Sequence, residues 1–491
     1  MQGESNHEMT NRGVTRPEMG KHQHGKDQDR EFLLKMHHKK TLWVYWMLIL
    51  LGCWMVLSPL TFSYSKGLVE PSGGREVWLT MQQRIDFMRW SDVISGFLLV
   101  FFGWRSLKPE NAISLWVCFG VGVWLTLAPL LFWSPVAIAY LNDTIVGMLV
   151  ISLSILIPGM PKMILFMKMG SEVPEGWSYN PSSWPQRWIM IATGFLGFVV
   201  SRYLAAYQLG YIDEVWDPFF GEGSKRVLDS AMSHSLPISD AGLGTLAYTF
   251  EFLMGFMGSP ARWRTMPWMV AFFGFLVIPL GLVHIFLVIS QPLTVGAWCT
   301  FCLVAAGIML PMIPLEADEV VAMGQHMVQS VRRGEKFWSV FWKGGQPVVK
   351  NKDERTPKLV EMPEKPMDIL RASLWGMSVP KALLLCAGVG LLLMLLPSFF
   401  DLPVRGGISD LNHLCGAMIV VCSVIPFGEV ARSVRFGNLL FGLAVVFVTW
   451  FTNGPMILKV VDAIAGIAVI FASLPRGKIV ERYGLWQGFI R

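Results

Sequence analysis

The sequence predicts an all-α, polytopic transmembrane bundle of about twelve spans with a central four-helix unit. Three observations carry this prediction. The 491-residue chain is 53% hydrophobic and only 15% charged, unlike a soluble domain. Its apolar runs recur at about the 20-residue length that a helix needs to cross the hydrocarbon layer. Lys and Arg gather in every second connection, the asymmetry that orients helices in a membrane.

Residues 1–41 are polar and hold His7, His22, His24, His37 and His38 without the fixed spacing of a metal site, so a disordered cytoplasmic tail is expected. No apolar segment with a small-residue cleavage site precedes the first span, so no cleavable signal peptide is expected. Spans are expected near 42–60, 90–104, 113–133, 140–160, 188–209, 241–258, 267–289, 293–313, 379–398, 410–427, 437–453 and 457–474. Lys35, Lys39 and Lys40 precede the first, and Arg105, Lys162, Arg262, Arg332, Arg432 and Arg476 each sit in a following even-numbered connection. This places both termini in the cytoplasm of a multi-pass plasma membrane protein of the bacterial inner-membrane type. The net charge of +6 is that of these loops; it marks the lipid bilayer as partner and no nucleic acid.

The two ends of the chain, 42–165 and 378–475, share a repeat. GCWMVLSPL is followed by RWSDVISG, GVWLTLAPL by YLNDTIVG, GLLLMLLPS by SDLNHLCG, and AVVFVTWF by KVVDAIAG. In each second helix a short polar residue stands four before a glycine: Asp92–Gly96, Asp143–Gly147, Asn412–Gly416 and Asp462–Gly466. These positions share a helix face, and the small residue admits a close neighbour. The polar residues are expected near helix starts as caps. Pro59, Pro129 and Pro397 are expected to end the first helices. The four units resemble SPW-repeat membrane proteins, after the Ser58–Pro59 pair; the fourth departs, with Trp450–Phe451 at that place. A transporter using these acids is a further reading, but no Gly/Pro-interrupted helix pair marks corresponding halves.

Between the repeats, 166–187 and the charged stretch 316–377 read as linkers, the latter cytoplasmic, around a four-span domain, 188–315. Its last span opens on GAWCTFCLV, with Cys299 and Cys302 one turn apart. Zinc would need four ligands, and no second pair lies at suitable spacing. Small apolar packing residues are the bland alternative, and this describes Cys53, Cys118, Cys386, Cys415 and Cys422. A redox pair is the third: both sulfurs fall within disulfide reach, at a helix N-terminus that stabilises a thiolate, on the outward, oxidising side. Thr294 and Gly296 fit that N-terminus. Upstream, Val227, Leu228, Ala231 and Met232 fall on one face of a short amphipathic helix over 225–234, a lid that Pro237 ends, and Asp240 is placed to cap the next span.

SHSLPISDAGLG, then YTFEFLMGFMG, then CTFC in that order and spacing resemble the vitamin K epoxide reductase family over about 188–313. The resemblance implies electron exchange between thiols and a membrane quinone of ubiquinone or menaquinone type. It implies Cys302 as the sulfur facing the quinone and Cys299 as the one exchanging with a thiol partner, an extracytoplasmic thioredoxin-like protein. It implies Asp240 as a residue that hydrogen-bonds a quinone carbonyl; Gly244, Tyr248 and His284 are the further candidate cofactor-binding residues. Asp240 stands where members commonly have Asn, and must be protonated to donate. Ala306 replaces a Tyr found in some members, and the 210–239 loop lacks the two shuttle cysteines that many carry.

Arg202 and Glu251 come out at similar depth, which allows a pair, with a cavity-facing residue or a proton relay as the alternatives; His284 comes out near the depth of Cys299, either moving protons or bonded to a neighbouring helix. The function expected is a quinone-linked thiol oxidoreductase. The alternative is a non-catalytic quinone- or lipid-binding scaffold or sensor.

Overall fold

The computed structural model describes residue 36 and residues 38–108, 111–156, 172–345, 351–357 and 365–490. Residues 1–35 and 37, and with them most of the expected tail, lie outside the described residues; of the five tail histidines only His38 is inside, bonded to the Leu107 carbonyl and stacked on Tyr45.

Among the described residues, twelve helices lie at or near the predicted spans, with shifted bounds. The first repeat holds α1 (Leu42–Thr61), α2 (Met81–Arg105), α3 (Ala112–Leu131) and α4 (Ala137–Ile151). The central bundle holds α5 (Trp184–Gln208), α6 (Asp240–Phe256), α7 (Pro267–Thr294) and α8 (Thr300–Arg332). The second repeat holds α9 (Lys381–Phe399), α10 (Ile408–Val424), α11 (Gly437–Val448) and α12 (Met456–Ser473). Ten of these stretches are long and apolar enough to cross a membrane. The other two are α2, which opens on the polar run MQQRIDFMR, and α6, which has 17 residues. Large apolar side chains such as Trp43, Leu60, Ile113 and Phe451 stay exposed around the outside, as a lipid-facing surface requires. The chain is a polytopic helical membrane protein.

In each repeat the helices pair as hairpins, α1 with α2 and α3 with α4, then α9 with α10 and α11 with α12. The four hairpins cross at paired glycines: Gly52 on Gly96, Gly122 on Gly147, Gly390 on Gly416 and Gly442 on Gly466. A Cβ on either member would lie 2.6–3.1 Å from the other's carbonyl oxygen, so only glycine lets these backbones approach. One turn away lie Asp92, Asp143, Asn412 and Asp462, each fully buried. They do not cap helix starts as predicted: Asp92 is the twelfth residue of α2 and Asp143 the seventh of α4, and both face a neighbouring hairpin. Pro59, Pro129 and Pro397 sit two residues inside their helix ends, in the last turn.

The predicted span 293–313 is divided otherwise. α7 runs on to Thr294, through a π-turn at Leu276–Leu280 that carries Pro279, and α8 begins only at Thr300. α8 then continues to Arg332, so half of it falls in the stretch expected to be linker. Its Asp318 and Glu319 have partners the local sequence does not show. Arg262 donates twice to Glu319, at 2.6 Å each, and the Tyr179 hydroxyl donates to Asp318 at 2.6 Å. Ser182 also donates to Glu319. Trp177 and Tyr179, from the other expected linker, pack with Tyr483 near the C-terminus around this extension.

Candidate functional site

The face of the bundle opposite the start of α1 and the end of α12 is formed by the loops 62–80, 132–136, 209–239 and 295–299. α7 ends there, Gly296 turns the chain at positive φ, and Cys299 becomes the N-cap of α8. Its sulfur accepts the backbone N–H of Cys302 at 3.2 Å, and its own N–H donates to Gln291 Oε1 at 3.3 Å. The two cysteines are joined as a disulfide with Cα atoms 5.2 Å apart. Both sulfurs thus lie at the positive end of a 33-residue helix, the setting that favours a thiolate once the bond opens.

A lid covers them. Its helix is shorter than predicted, Gly223–Leu228, followed by a 3-10 turn at Ser233–Ser235. Val227 and Leu228 are buried against Leu204, Ala297 and Cys299, with Met232 alongside, whereas Ala231 is exposed. Cys299 is fully buried and Cys302 half-buried. The lid is latched beside the sulfurs. The Asp217 carboxylate accepts the Thr300 hydroxyl and the N–H groups of Phe220 and Ser224, both at 2.9 Å, and Ser224 Oγ accepts the Thr300 N–H. Burial pushes the Asp217 carboxyl up, but the hydrogen bonds from Thr300, Ser224 and the backbone outweigh it and hold the group at about 2.

The first repeat clamps the same lid. Arg75 donates to the carbonyls of Ser233, Leu236 and Ile238 while its guanidinium lies 4.7 Å over the Trp133 ring. Trp133 in turn donates to the Pro237 carbonyl at 2.9 Å, and Ser72 to the Tyr207 carbonyl at 2.6 Å. Sequence reading missed Arg75, Trp133, Asp217 and Gln291; each lies in a loop or on another helix, with no local motif to announce it.

The predicted site residues do not form one cluster. Asp240 opens α6, but Ser239 is the cap, accepting Gly242 N–H at 2.8 Å. The Asp240 carboxylate instead accepts Gln208 and Ser233, tying α5 to the lid. Gly244 lies against Ser201 of α5. Tyr248 is buried, donates to the Ala305 carbonyl at 3.1 Å, and meets the His284 ring edge-on at 6.3 Å. His284 has no hydrogen-bonding partner among the described residues. It is also deeper than expected: Cys299 is bonded to Gln291, and His284 lies seven residues further down α7, about 10 Å at 1.5 Å per residue. The Arg202–Glu251 pair does not form. Arg202 donates to Thr144 of α4 at 3.0 Å and lies over Tyr140, whereas both carboxyl oxygens of the fully buried Glu251 lack a partner. Arg202 lines a narrow crevice between α3, α4, α5 and α6, whose α6 wall is Gly242, Thr245, Leu246 and Thr249 and not the Gly244–Tyr248 face.

A disulfide at the head of a membrane helix, roofed by the 210–239 lid, defines a membrane protein with a redox-capable cysteine pair. Residues 188–317 match the model of the vitamin K epoxide reductase family, so the chain carries a domain of that family and with it a membrane redox function in general. Neither curated proteins nor solved structures gave a match.

Proposed function

We propose that the central domain is a quinone-linked thiol oxidoreductase acting through Cys299 and Cys302, on the outer face of a plasma membrane with both chain ends cytoplasmic. The observation that carries this reading is the disulfide itself, at the N-cap and third position of α8 inside a family-matched bundle. A quinone of ubiquinone or menaquinone type fits the residues present in donor type: His284, without a hydrogen-bonding partner, and Tyr248 beside it, among the apolar core of α6, α7 and α8. When bound, such a group supplies a two-electron, two-proton couple.

The chain's own part is thiol exchange. A thiolate of an extracytoplasmic, thioredoxin-like partner attacks Cys299 Sγ and forms a mixed disulfide. Cys302 leaves as a thiolate, held by the free N–H groups of the first turn of α8. The partner's second thiolate then attacks the partner sulfur of the mixed disulfide, so that the partner leaves oxidised and Cys299 leaves reduced. The pair now holds two electrons, and Cys302, the half-buried member, passes them on. The reverse direction uses the same bonds. Because Cys299 is fully buried, the lid must lift before the attack. The 210–239 loop has no cysteine, so the partner thiol has to reach Cys299 directly.

The burial of Cys299 also favours a second reading, a scaffold that binds a quinone or lipid without turnover. Trapping separates the two. Cys302→Ser is expected to accumulate a mixed disulfide through Cys299, and Cys299→Ser is expected not to. Wild-type thiols are expected to reoxidise on addition of quinone to the purified protein. A pair inert to alkylation, reductant and quinone would leave the scaffold.

A further inference from the structure

We propose that Asp92 and Asp143 form a buried proton-binding site in the first repeat, one exchangeable proton bridging Asp92 Oδ1 and Asp143 Oδ2.

Both residues are fully buried and their carboxyl groups are neighbours. Asp92 Oδ2 is accounted for, accepting Ser58 Oγ at 3.2 Å and the Tyr64 hydroxyl. Asp143 Oδ1 is accounted for, accepting Asn142 Nδ2 at 3.3 Å, with Asn142 held by Trp54 at 2.8 Å. The other two oxygens, Asp92 Oδ1 and Asp143 Oδ2, have no protein donor. Two carboxylates cannot face each other in hydrocarbon surroundings without something positive between them.

The second repeat shows what that something replaces. Asn412 and Asp462 stand where Asp92 and Asp143 stand, one turn from the equivalent glycine crossings. There the Asn412 amide donates to Asp462 Oδ1 at 3.1 Å, and Thr449 donates to Oδ2 at 3.2 Å. The bridge in that repeat is a permanent N–H. In the first repeat the same bridge requires a proton that can leave. Among the described residues no cationic side chain takes its place: the groups facing the pair are Ser58 and Tyr64 from α1 and its loop, Asn142 from α4, and Tyr211 from the loop after α5. Arg202 is spent on Thr144, and Arg84 on Glu70 and the Trp133 carbonyl. Tyr64, whose hydroxyl reaches Asp92, leads from the pair to the 62–80 loop.

Infrared spectroscopy of the full-length protein in lipid nanodiscs tests this. At neutral pH the wild type is expected to show a protonated-carboxyl C=O band that shifts in D2O and is lost in Asp92→Asn. That variant copies the second repeat and is expected to keep its thermal midpoint. Asp143→Asn is expected to lose the same band, and it keeps the test open if one variant fails to fold. Identical carboxyl absorbance in wild type and both variants overturns the proposal. So does a band that disappears from the wild type when sodium is added at constant pH, which makes the site one for a metal cation.

Discussion

Asp217 and Thr300, 83 residues apart in sequence, are hydrogen-bonded, and Thr300 directly follows Cys299. The same carboxylate collects the N–H groups of Phe219, Phe220 and Ser224, so one acidic side chain fastens the lid's leading edge to the start of α8. Access to the buried sulfur is therefore set by this latch. Asp217→Asn or Thr300→Ala removes about 1 kcal/mol of net hydrogen bonding. The disulfide is then expected to react about fivefold faster with a water-soluble phosphine, followed by alkylation gel shift, with the helical content unchanged.

The latch is also expected to weaken in acid. The Asp217 carboxyl is held from its ordinary 3.8 down to about 2 in the folded protein. A depressed carboxyl contributes stability that is complete above its ordinary value and is lost as pH falls through the folded value. Phosphine reduction is thus expected to accelerate between about pH 4 and pH 2 in the wild type. Asp217→Asn is expected to be flat over that interval; a wild type equally flat contradicts the assignment.

Arg75 gives the first repeat a part in the same motion. Its fork serves carbonyls of Ser233, Leu236 and Ile238 while stacking on Trp133, a geometry that a lysine ammonium cannot copy. Arg75→Ala and Arg75→Lys are both expected to raise hydrogen exchange over residues 229–238 severalfold, with α1–α4 left protected. Unchanged exchange there in Arg75→Ala means the repeat does not hold the lid.

How much of this was legible in the sequence follows from the distance over which each signal acts. The spans were legible because an apolar run of about 20 residues is a local property. The Cys299–Cys302 pair was legible for the same reason, its members being three residues apart. The crossings were half legible: Gly96, Gly147, Gly416 and Gly466 stood out beside their polar neighbours, whereas Gly52, Gly122, Gly390 and Gly442 sat unmarked in apolar runs. The extension of α8 was not legible. Asp318 and Glu319 look like a solvated linker until Tyr179, Ser182 and Arg262 are known to lie against them. Nor was the His284 depth, because the π-turn and the 295–299 turn change the count on which a per-residue ruler depends.

The glycine crossings predict a contrast inside one helix. In α9, Gly390 faces Gly416, with 2.6 Å between a built Cβ and the opposing carbonyl oxygen, whereas Gly388 faces open space. Gly390→Leu is expected to cost about 2–3 kcal/mol by overpacking, read as a lower thermal midpoint in detergent. Gly388→Leu is expected to be neutral or slightly stabilising through its better helix propensity. Equal effects at the two positions contradict the crossing.

The Arg262–Glu319 pair makes the last prediction. Both side chains are almost fully buried, and the bond is bidentate at 2.6 Å, joining the α6–α7 connection to the extension of α8. Arg262 also donates to the Met254 carbonyl, so its removal opens the end of α6 as well. Breaking such a pair from one side leaves an uncompensated buried charge and costs about 3–5 kcal/mol. Arg262→Ala is therefore expected to lower the thermal midpoint sharply and to expose the 315–332 segment to limited proteolysis. The double variant Arg262→Met, Glu319→Leu removes both charges together and is expected to recover most of that loss, because well-packed apolar residues often replace a buried ion pair at little cost. If the double variant is as unstable as Arg262→Ala, the remaining donors and acceptors around the pair, Ser182 and the Met254 and Met257 carbonyls, carry the stability instead.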